Sequence, residues 1–321
     1  MSGAYDEFRQ LLQQKRFRDA VLLAERQVLQ SSSSDAFWLT QQAVALLRTE
    51  DHEPALQAAR KALEAEPSNP YAVVTAADAL LGLQKHEEAL ACYRECLGSP
   101  RLAARARKGI LDSLSRLKRW EEMQSRLAEW ALPADESAAW KVKALAGLKR
   151  TGEAIAECRA WLAEMPDHPP ALWALTELEI ERDGLEPVLE RIGRMVRIPS
   201  LPPVYREMYA SLCRRAGRPE EALKEYEKLE AQGAGSRASR QQAFLLAKTG
   251  KEREAIPLLE ELLRADPRDI YLHSSYEAAC RRVGEPERAI NFYQTLLSLH
   301  PEAKGLYGRI KALHRALERA P

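Results

Sequence analysis

The 321-residue chain lacks any apolar run of the roughly 18–20 residues that a membrane-spanning helix requires. Residues 1–17 hold no apolar stretch of the secretory-signal type and read instead as a helix with charges on one face. Cysteine is scarce, odd in number and scattered: Cys92, Cys96, Cys158, Cys213 and Cys280. That pattern excludes a disulfide framework and makes a reducing, cytoplasmic setting the expectation. An excess of one charge is also missing. Lys and Arg number 48 against 47 Asp and Glu, a net charge of +1, which argues against a generally basic nucleic-acid binder.

The residue patterns of chemistry are equally sparse. The six histidines, His52, His86, His168, His273, His300 and His314, mostly fall at turns or near helix ends, where a solvated ring is expected. None forms His-x3-His or a Cys/His pair. Cys92 and Cys96 share a helical face, but no second pair completes a tetrahedral metal set, so small buried core residues explain them, as they do Cys213 and Cys280. Gly233-Ala234-Gly235-Ser236 lacks the Lys-Ser/Thr of a phosphate loop and follows a helix, so it reads as a turn. No nucleophile–base motif is present, and no metal, cofactor or catalytic residue is expected. No stretch alternates with period two over a useful length, so no strands are expected.

What is present is a repeat. A small or apolar residue, an apolar partner, an aromatic or apolar residue four on, another small or apolar pair and a late proline recur together. Four copies are clear: those starting at Ala55, Ala154, Ala255 and Ala289 each carry their proline twelve residues later, at Pro67, Pro166, Pro267 and Pro301. Weaker copies at Ala20, Ala89, Met123, Val188 and Ala222 fill the gaps, giving successive spacings of 35, 34, 34, 31, 34, 34, 33 and 34. Apolar residues at i, i+3, i+4 and i+7 give each copy two amphipathic helices. Turn signals such as Ala216-Gly217-Arg218-Pro219, Thr249-Gly250-Lys251 and Val283-Gly284-Glu285-Pro286 join them, glycine closing the first helix and proline opening the second.

A 34-residue helix–turn–helix unit of this pattern resembles the tetratricopeptide repeat. The second helix matches well, as in Ala222/Tyr226 and Ala289/Tyr293/Pro301, whereas the Trp and Tyr landmarks of the first helix are mostly replaced. Small residues recur eight into the unit as Ala43, Ala77, Ala210 and Ala243. The resemblance implies an all-α, right-handed α-solenoid of about nine repeats over residues 1–302, with a capping helix over 303–321 whose stripe is Leu306, Ile310, Leu313 and Leu317. Nine units and a cap leave no segment for a catalytic domain, so a non-catalytic protein is expected. The unit between Met123 and Ala154 is short, and five of six tryptophans surround it: Trp120, Trp130, Trp140, Trp161 and Trp173. A locally repacked joint is one reading; a bend or an aromatic binding spot is the other.

The resemblance also implies that positions 2, 5, 9, 12 and 13 of each unit face a concave groove. Over repeats 2–9 those forty positions hold twelve basic and six acidic residues. Seven of the twelve cations sit at the end of the first helix, where cations favour the helix dipole whatever the ligand. The candidate ligand-binding residues are Tyr71, Arg105, Lys108, Trp173, Arg214, Arg237, Arg240, Phe244, Tyr271 and Arg281, with the C-terminal third the most basic stretch. Aromatic anchors beside arginines suit a protein–protein adaptor that holds a peptide or protein segment, an acidic one included. Only Asn69 and Asn291 are asparagines, and neither stands where a Lys/Asn clamp for chaperone tails needs one. An RNA-reading repeat is the alternative, disfavoured because no stacking ladder recurs; a ligand-sensing regulator is another. Replacing Arg237 and Arg240 together by Glu is the natural test of the groove.

Overall fold

The computed structural model describes residues 2–31, 35–198, 200–233, 236–301, 303 and 305–318. Among them every regular element is helical, nineteen α-helices and one short 3-10 turn at Cys96–Gly98. The helices pair into nine hairpins. They are α1 (Ser2–Gln13) with α2 (Phe17–Gln30), α3 (Ala36–Arg48) with α4 (His52–Ala65), and α5 (Pro70–Gly82) with α6 (His86–Glu95). Then come α7 (Ala103–Arg116) with α8 (Trp120–Glu129), α9 (Ala134–Gly147) with α10 (Thr151–Glu164), and α11 (Pro169–Asp183) with α12 (Leu185–Met195). The last are α13 (Pro203–Arg215) with α14 (Pro219–Ala231), α15 (Ser236–Lys248) with α16 (Glu252–Ala265), and α17 (Ile270–Arg282) with α18 (Pro286–Leu299). A single helix, α19 (Gly305–Glu318), follows. The chain divides into two compact units, Met1–Ala163 and Glu164–Pro321. In each, successive hairpins stack on one another as an α-solenoid.

The repeat register shows why the hairpins close-pack. The anchors Ala20, Ala55, Ala89, Met123, Ala154, Ala222, Ala255 and Ala289 are wholly buried, and Val188 nearly so. Ala43, Ala77, Ala210 and Ala243, on the facing first helices, are equally buried. Small side chains at both positions let the two backbones approach. Trp38, Tyr93, Tyr276 and Tyr293 then fill the layers between, each burial contributing about 2–3 kcal/mol.

Each hairpin turns at a residue five before its anchor. That residue is left-handed in eight of the nine: Lys15, Glu50, Gln84, Lys118 and Lys149 have φ of 57–63°, and Gly217, Gly250 and Gly284 have φ of 72–80°. The following N–H closes a Schellman-type bond on the first helix, as in Lys85 N to Leu80 O at 2.9 Å and Glu285 N to Cys280 O at 2.9 Å. Hairpin α11/α12 departs, turning at Gly184 with φ 89° and ψ 168°.

First helices α3, α5 and α17 are N-capped by side chains. Asp35 accepts from the amides of Phe37 and Trp38, Asn69 from those of Tyr71 and Ala72, and Asp269 from those of Tyr271 and Leu272.

The short unit is a repacked joint. Helix α8 has only 10 residues. Trp120 lies flat against Gly147, where a Cβ would come within 2.3 Å of the indole. Buried Trp161 donates from Nε1 to Asp135 Oδ1 at 3.0 Å. Arg107 and Lys143 sit over Trp130 and Trp140, at 5.9 and 4.9 Å from the ring centroids.

At the C-terminal end Leu306 of α19 is buried, and Ile310, Leu313 and Leu317 are half-buried. Residues 304 and 319–321 of the expected cap, and Ala234 and Gly235 of the expected glycine turn, lie outside the described residues. One expectation about histidine is corrected here. His273 is 2% exposed rather than a solvated turn residue. Its Nε2 lies 3.0 Å from the Pro267 carbonyl and its Nδ1 3.1 Å from the Tyr293 hydroxyl. A carbonyl only accepts, so Nε2 carries the proton and Nδ1 is left as an acceptor facing the Tyr293 hydroxyl. The same hydroxyl is 3.0 Å from Glu277 Oε1, which accepts from Arg309 of α19 at 2.8 Å. The histidine therefore belongs to the polar network that holds the last helix on.

Candidate functional site

Most of register positions 2, 5, 9, 12 and 13 of α13, α15 and α17, all but Val204, Arg215 and Arg281, line two adjoining hollows in the second unit. The narrower, about 110 Å³, is walled by Trp173 of α11, Glu207 and Arg214 of α13, Arg237 of α15 and Tyr226 of α14. The wider, about 820 Å³, runs between α15 and α17. Arg237 and Gln241 are common to both, so the hollows form one continuous groove.

The wider hollow has an uneven chemistry. Its lining includes four cations, Arg237, Arg240, Lys248 and Arg282, and the rings of Phe244 and Tyr271, but no carboxylate. Its floor is small: Ala247, Ala278, Ser274 and Ser275. Tyr271 is 68% exposed, held on the first turn that Asp269 caps.

The cations are not equivalent. Arg240 pairs with Asp269 at 2.5 Å and lies 5.5 Å from the Phe244 ring centroid. Arg282 donates to the Ala247 carbonyl near the end of α15 at 2.9 Å and pairs with Glu252 at 3.3 Å. Both therefore hold neighbouring hairpins together. Arg214, Arg237 and Lys248 form no ion pair with a carboxylate among the described residues and keep their hydrogen-bonding capacity for a ligand. Burial raises the Tyr226 hydroxyl above its ordinary pKa, against the opposing positive charges of Arg214 and Arg237, so it stays a neutral donor beside them.

Of the ten candidates, Trp173, Arg214, Arg237, Arg240, Phe244 and Tyr271 come together here. Arg281 is exposed and lies outside the lining of both hollows, where its neighbour Arg282 stands instead. Tyr71, Arg105 and Lys108 belong to the first unit. There Tyr71 is 45% exposed, Lys108 is exposed, and Arg105 is held by Asp78, which also accepts from Tyr93. Partial burial, with the charge of Arg48, lowers the Arg105 pKa. The ion pair of Arg240 changes the choice of test residues. Glu at 240 would face Asp269 and disturb a helix cap, so replacing Arg237 with Arg240 mixes folding with binding. Tyr226 and Gln241 were not among the candidates. Tyr226 is the second-helix landmark aromatic, and the groove positions implied by the resemblance all lie on first helices.

The cysteines are core residues. Cys96, Cys158, Cys213 and Cys280 are buried and Cys92 is half-buried. Burial pushes the Cys213 and Cys280 thiols up to about 11, far from nucleophilic thiolates. Among the described residues no helix is long and apolar enough to cross a membrane, and no group of three His, Cys, Asp or Glu is arranged to hold a metal ion.

Two protein-family models match the sequence: anaphase-promoting complex, cyclosome, subunit 3 over residues 13–96, and the tetratricopeptide repeat over residues 199–304. No curated protein matches it at a significant level. A solved tetratricopeptide repeat protein from Parabacteroides merdae is 12% identical, covers 72% of this chain and 93% of its own, and superposes with a TM-score of 0.54. At that identity the shared property is the fold. The P58(IPK) TPR domain is 15% identical over 99% of this chain and 98% of its own, with a TM-score of 0.33. A chain of the APC/C hetero-tetramer Cut9-Hcn1 is 13% identical over 86% of this chain and 55% of its own, with a TM-score of 0.41.

Proposed function

Since the chain belongs to the tetratricopeptide-repeat family, whose members act as interaction scaffolds, we propose that it is a non-catalytic adaptor whose second unit holds an acidic peptide segment in the α13–α15–α17 groove. The observation that carries the reading is the composition of the wider hollow: four cations and two aromatic rings over a floor of Ala and Ser, with no carboxylate in the lining. Phe244 and Tyr271 offer flat apolar faces to a ligand side chain. Arg237 and Lys248 offer uncommitted donors to carboxylates on either side of it. The narrow hollow, with room for a few water-sized groups, suits one carboxylate between Arg214 and Arg237, and Glu207 sets a limit on how much negative charge it takes. Five unbridged cysteines suit a reducing compartment such as the cytoplasm.

The test is selection from a random peptide display library by the full chain, followed by titration calorimetry of the enriched peptides. Asp or Glu flanking an apolar residue is expected to be enriched. Arg214→Glu with Arg237→Glu, which breaks no ion pair of the fold, is expected to weaken binding by roughly 10–100-fold, with circular dichroism unchanged. Enrichment without acidic residues, or full affinity in the double variant, overturns the reading.

A further inference from the structure

A second cavity lies on another face of α13. At about 100° per residue, Arg206 and Tyr209 are roughly 140° around the helix from the groove-lining Glu207, Ser211 and Arg214. They floor a furrow of about 890 Å³ walled by α12 and α14. The size is that of a small-ligand site.

The furrow has a counterpart two hairpins later, a hollow between α16 and α18 lined by Glu260, Arg288 and Phe292. Register relates them. Gly193 and Glu260 each stand five residues after their anchors, Val188 and Ala255. Arg197 and Arg264 each stand nine after the same anchors. Tyr209 and Tyr276 each precede the next anchor, Ala222 or Ala289, by thirteen.

In the later furrow Glu260 organises the space. Its side chain is 13% exposed. It accepts from Tyr276 at 2.9 Å and from Arg288 Nε at 2.9 Å, with Arg264 at 3.8 Å. In the earlier furrow that carboxylate is missing, because the position is Gly193. Tyr209 turns to Glu221 instead, at 3.1 Å. Glu225 is taken up by Arg206 at 2.8 Å and Lys228 at 2.6 Å. Arg197, the counterpart of Arg264, and Arg194 have no carboxylate partner among the described residues. The lining holds five cations and three carboxylates; Arg218 is taken up by Glu186 from outside it at 2.6 Å, so the furrow with that partner carries a net charge of +1.

We propose that this furrow binds a phosphate monoester, whose dianion takes the place that the Glu260 carboxylate fills in the later furrow. A phosphate monoester carries about −1.5 to −2 charges near neutral pH, which the two unpaired arginines meet, and its three oxygens accept from Arg194, Arg197 and the rearranged Tyr209 hydroxyl. The site is independent of the groove on the opposite side of α13.

Calorimetry and thermal melting of the full chain with inorganic phosphate, and with a phosphoserine peptide against its unphosphorylated form, test the proposal. Phosphate is expected to raise the thermal midpoint and the unphosphorylated peptide to do nothing. Arg197→Gln is expected to weaken phosphate binding by roughly tenfold or more while leaving the phosphate-free midpoint unchanged. Arg214→Glu with Arg237→Glu is expected to leave it intact. Gly193→Glu rebuilds the missing carboxylate and is expected to abolish binding. A Cβ there comes within 2.9 Å of the Tyr209 ring, so Arg197→Gln decides the matter if that variant fails to fold. A phosphopeptide that binds more tightly than inorganic phosphate identifies a protein-borne phosphate; equal affinity identifies a free ester. Absence of phosphate stabilisation in the parent protein, or equal stabilisation in Arg197→Gln, overturns the assignment.

Discussion

Replacing Gln84 by glycine, and Gly250 or Gly284 by alanine, perturbs one and the same backbone position in three hairpins. All three residues are left-handed, with φ of 61°, 80° and 78°. The left-handed conformation costs an L-residue about 1–2 kcal/mol, and glycine escapes it. Glycine in turn surrenders about 0.5–1 kcal/mol more chain entropy on folding. The net for Gln84→Gly is therefore a stabilisation of about 0.5–1 kcal/mol, and for either Gly→Ala a loss of similar size. Nothing lies within 4 Å of a Cβ built at Gly250 or Gly284, so those two variants report the backbone alone. Urea titrations followed by circular dichroism measure the changes, and thermal midpoints should move by about 1–3 °C in opposite directions. If Gly250→Ala and Gly284→Ala leave stability unchanged, or Gln84→Gly lowers it, the turn residue is not what holds the hairpin, and the reasoning fails.

Two further outcomes follow from packing and titration. Gly147→Ala places a methyl 2.3 Å from the Trp120 ring, so it should destabilise by about 1–3 kcal/mol and shift tryptophan emission; an unperturbed spectrum and midpoint would show that the indole swings aside freely. His273 is lowered below its ordinary pKa, mainly by burial and further by Arg309, while Pro267, Glu277 and Asp269 oppose the shift. The unfolded chain then takes up a proton near pH 6.5 that the folded chain refuses. Stability is complete above that pH and falls as pH drops toward the folded pKa, by at most about 1.4 kcal/mol per pH unit. His273→Gln removes this slope, and parallel profiles for the two proteins would refute the assignment.

Much of the fold was legible in the chain because packing in a repeat is local. Counting from the anchors puts the first helices at 36, 70, 104, 135, 169, 203, 236 and 270, and α3, α5, α7, α9, α11, α13, α15 and α17 begin within one residue of those numbers. What escaped reading depends on pairs between hairpins. Arg240 and Asp269 are 29 residues apart and meet only when α15 and α17 stack, so the free cation of the sequence is a bound one. Arg282 caps the carbonyl of Ala247 for the same reason. His273 did carry a signal. With Tyr276 and Cys280 it follows the i, i+3, i+7 spacing of a buried stripe, and its polarity masked that. Gly193 stands out only when the hairpins are set in register and compared with Glu260.

Capping side chains at the first helices have a consequence beyond helix stability. Phe37, Tyr71 and Tyr271 each stand two residues after a cap and are 44%, 45% and 68% exposed. In each, the amide of the residue bearing the ring is tied to the carboxylate or amide oxygen behind it, at 2.9–3.0 Å. The backbone beneath these rings is thereby kept from fraying, so a ligand that stacks on them does not have to order the turn first, and less of the contact energy is spent on immobilisation.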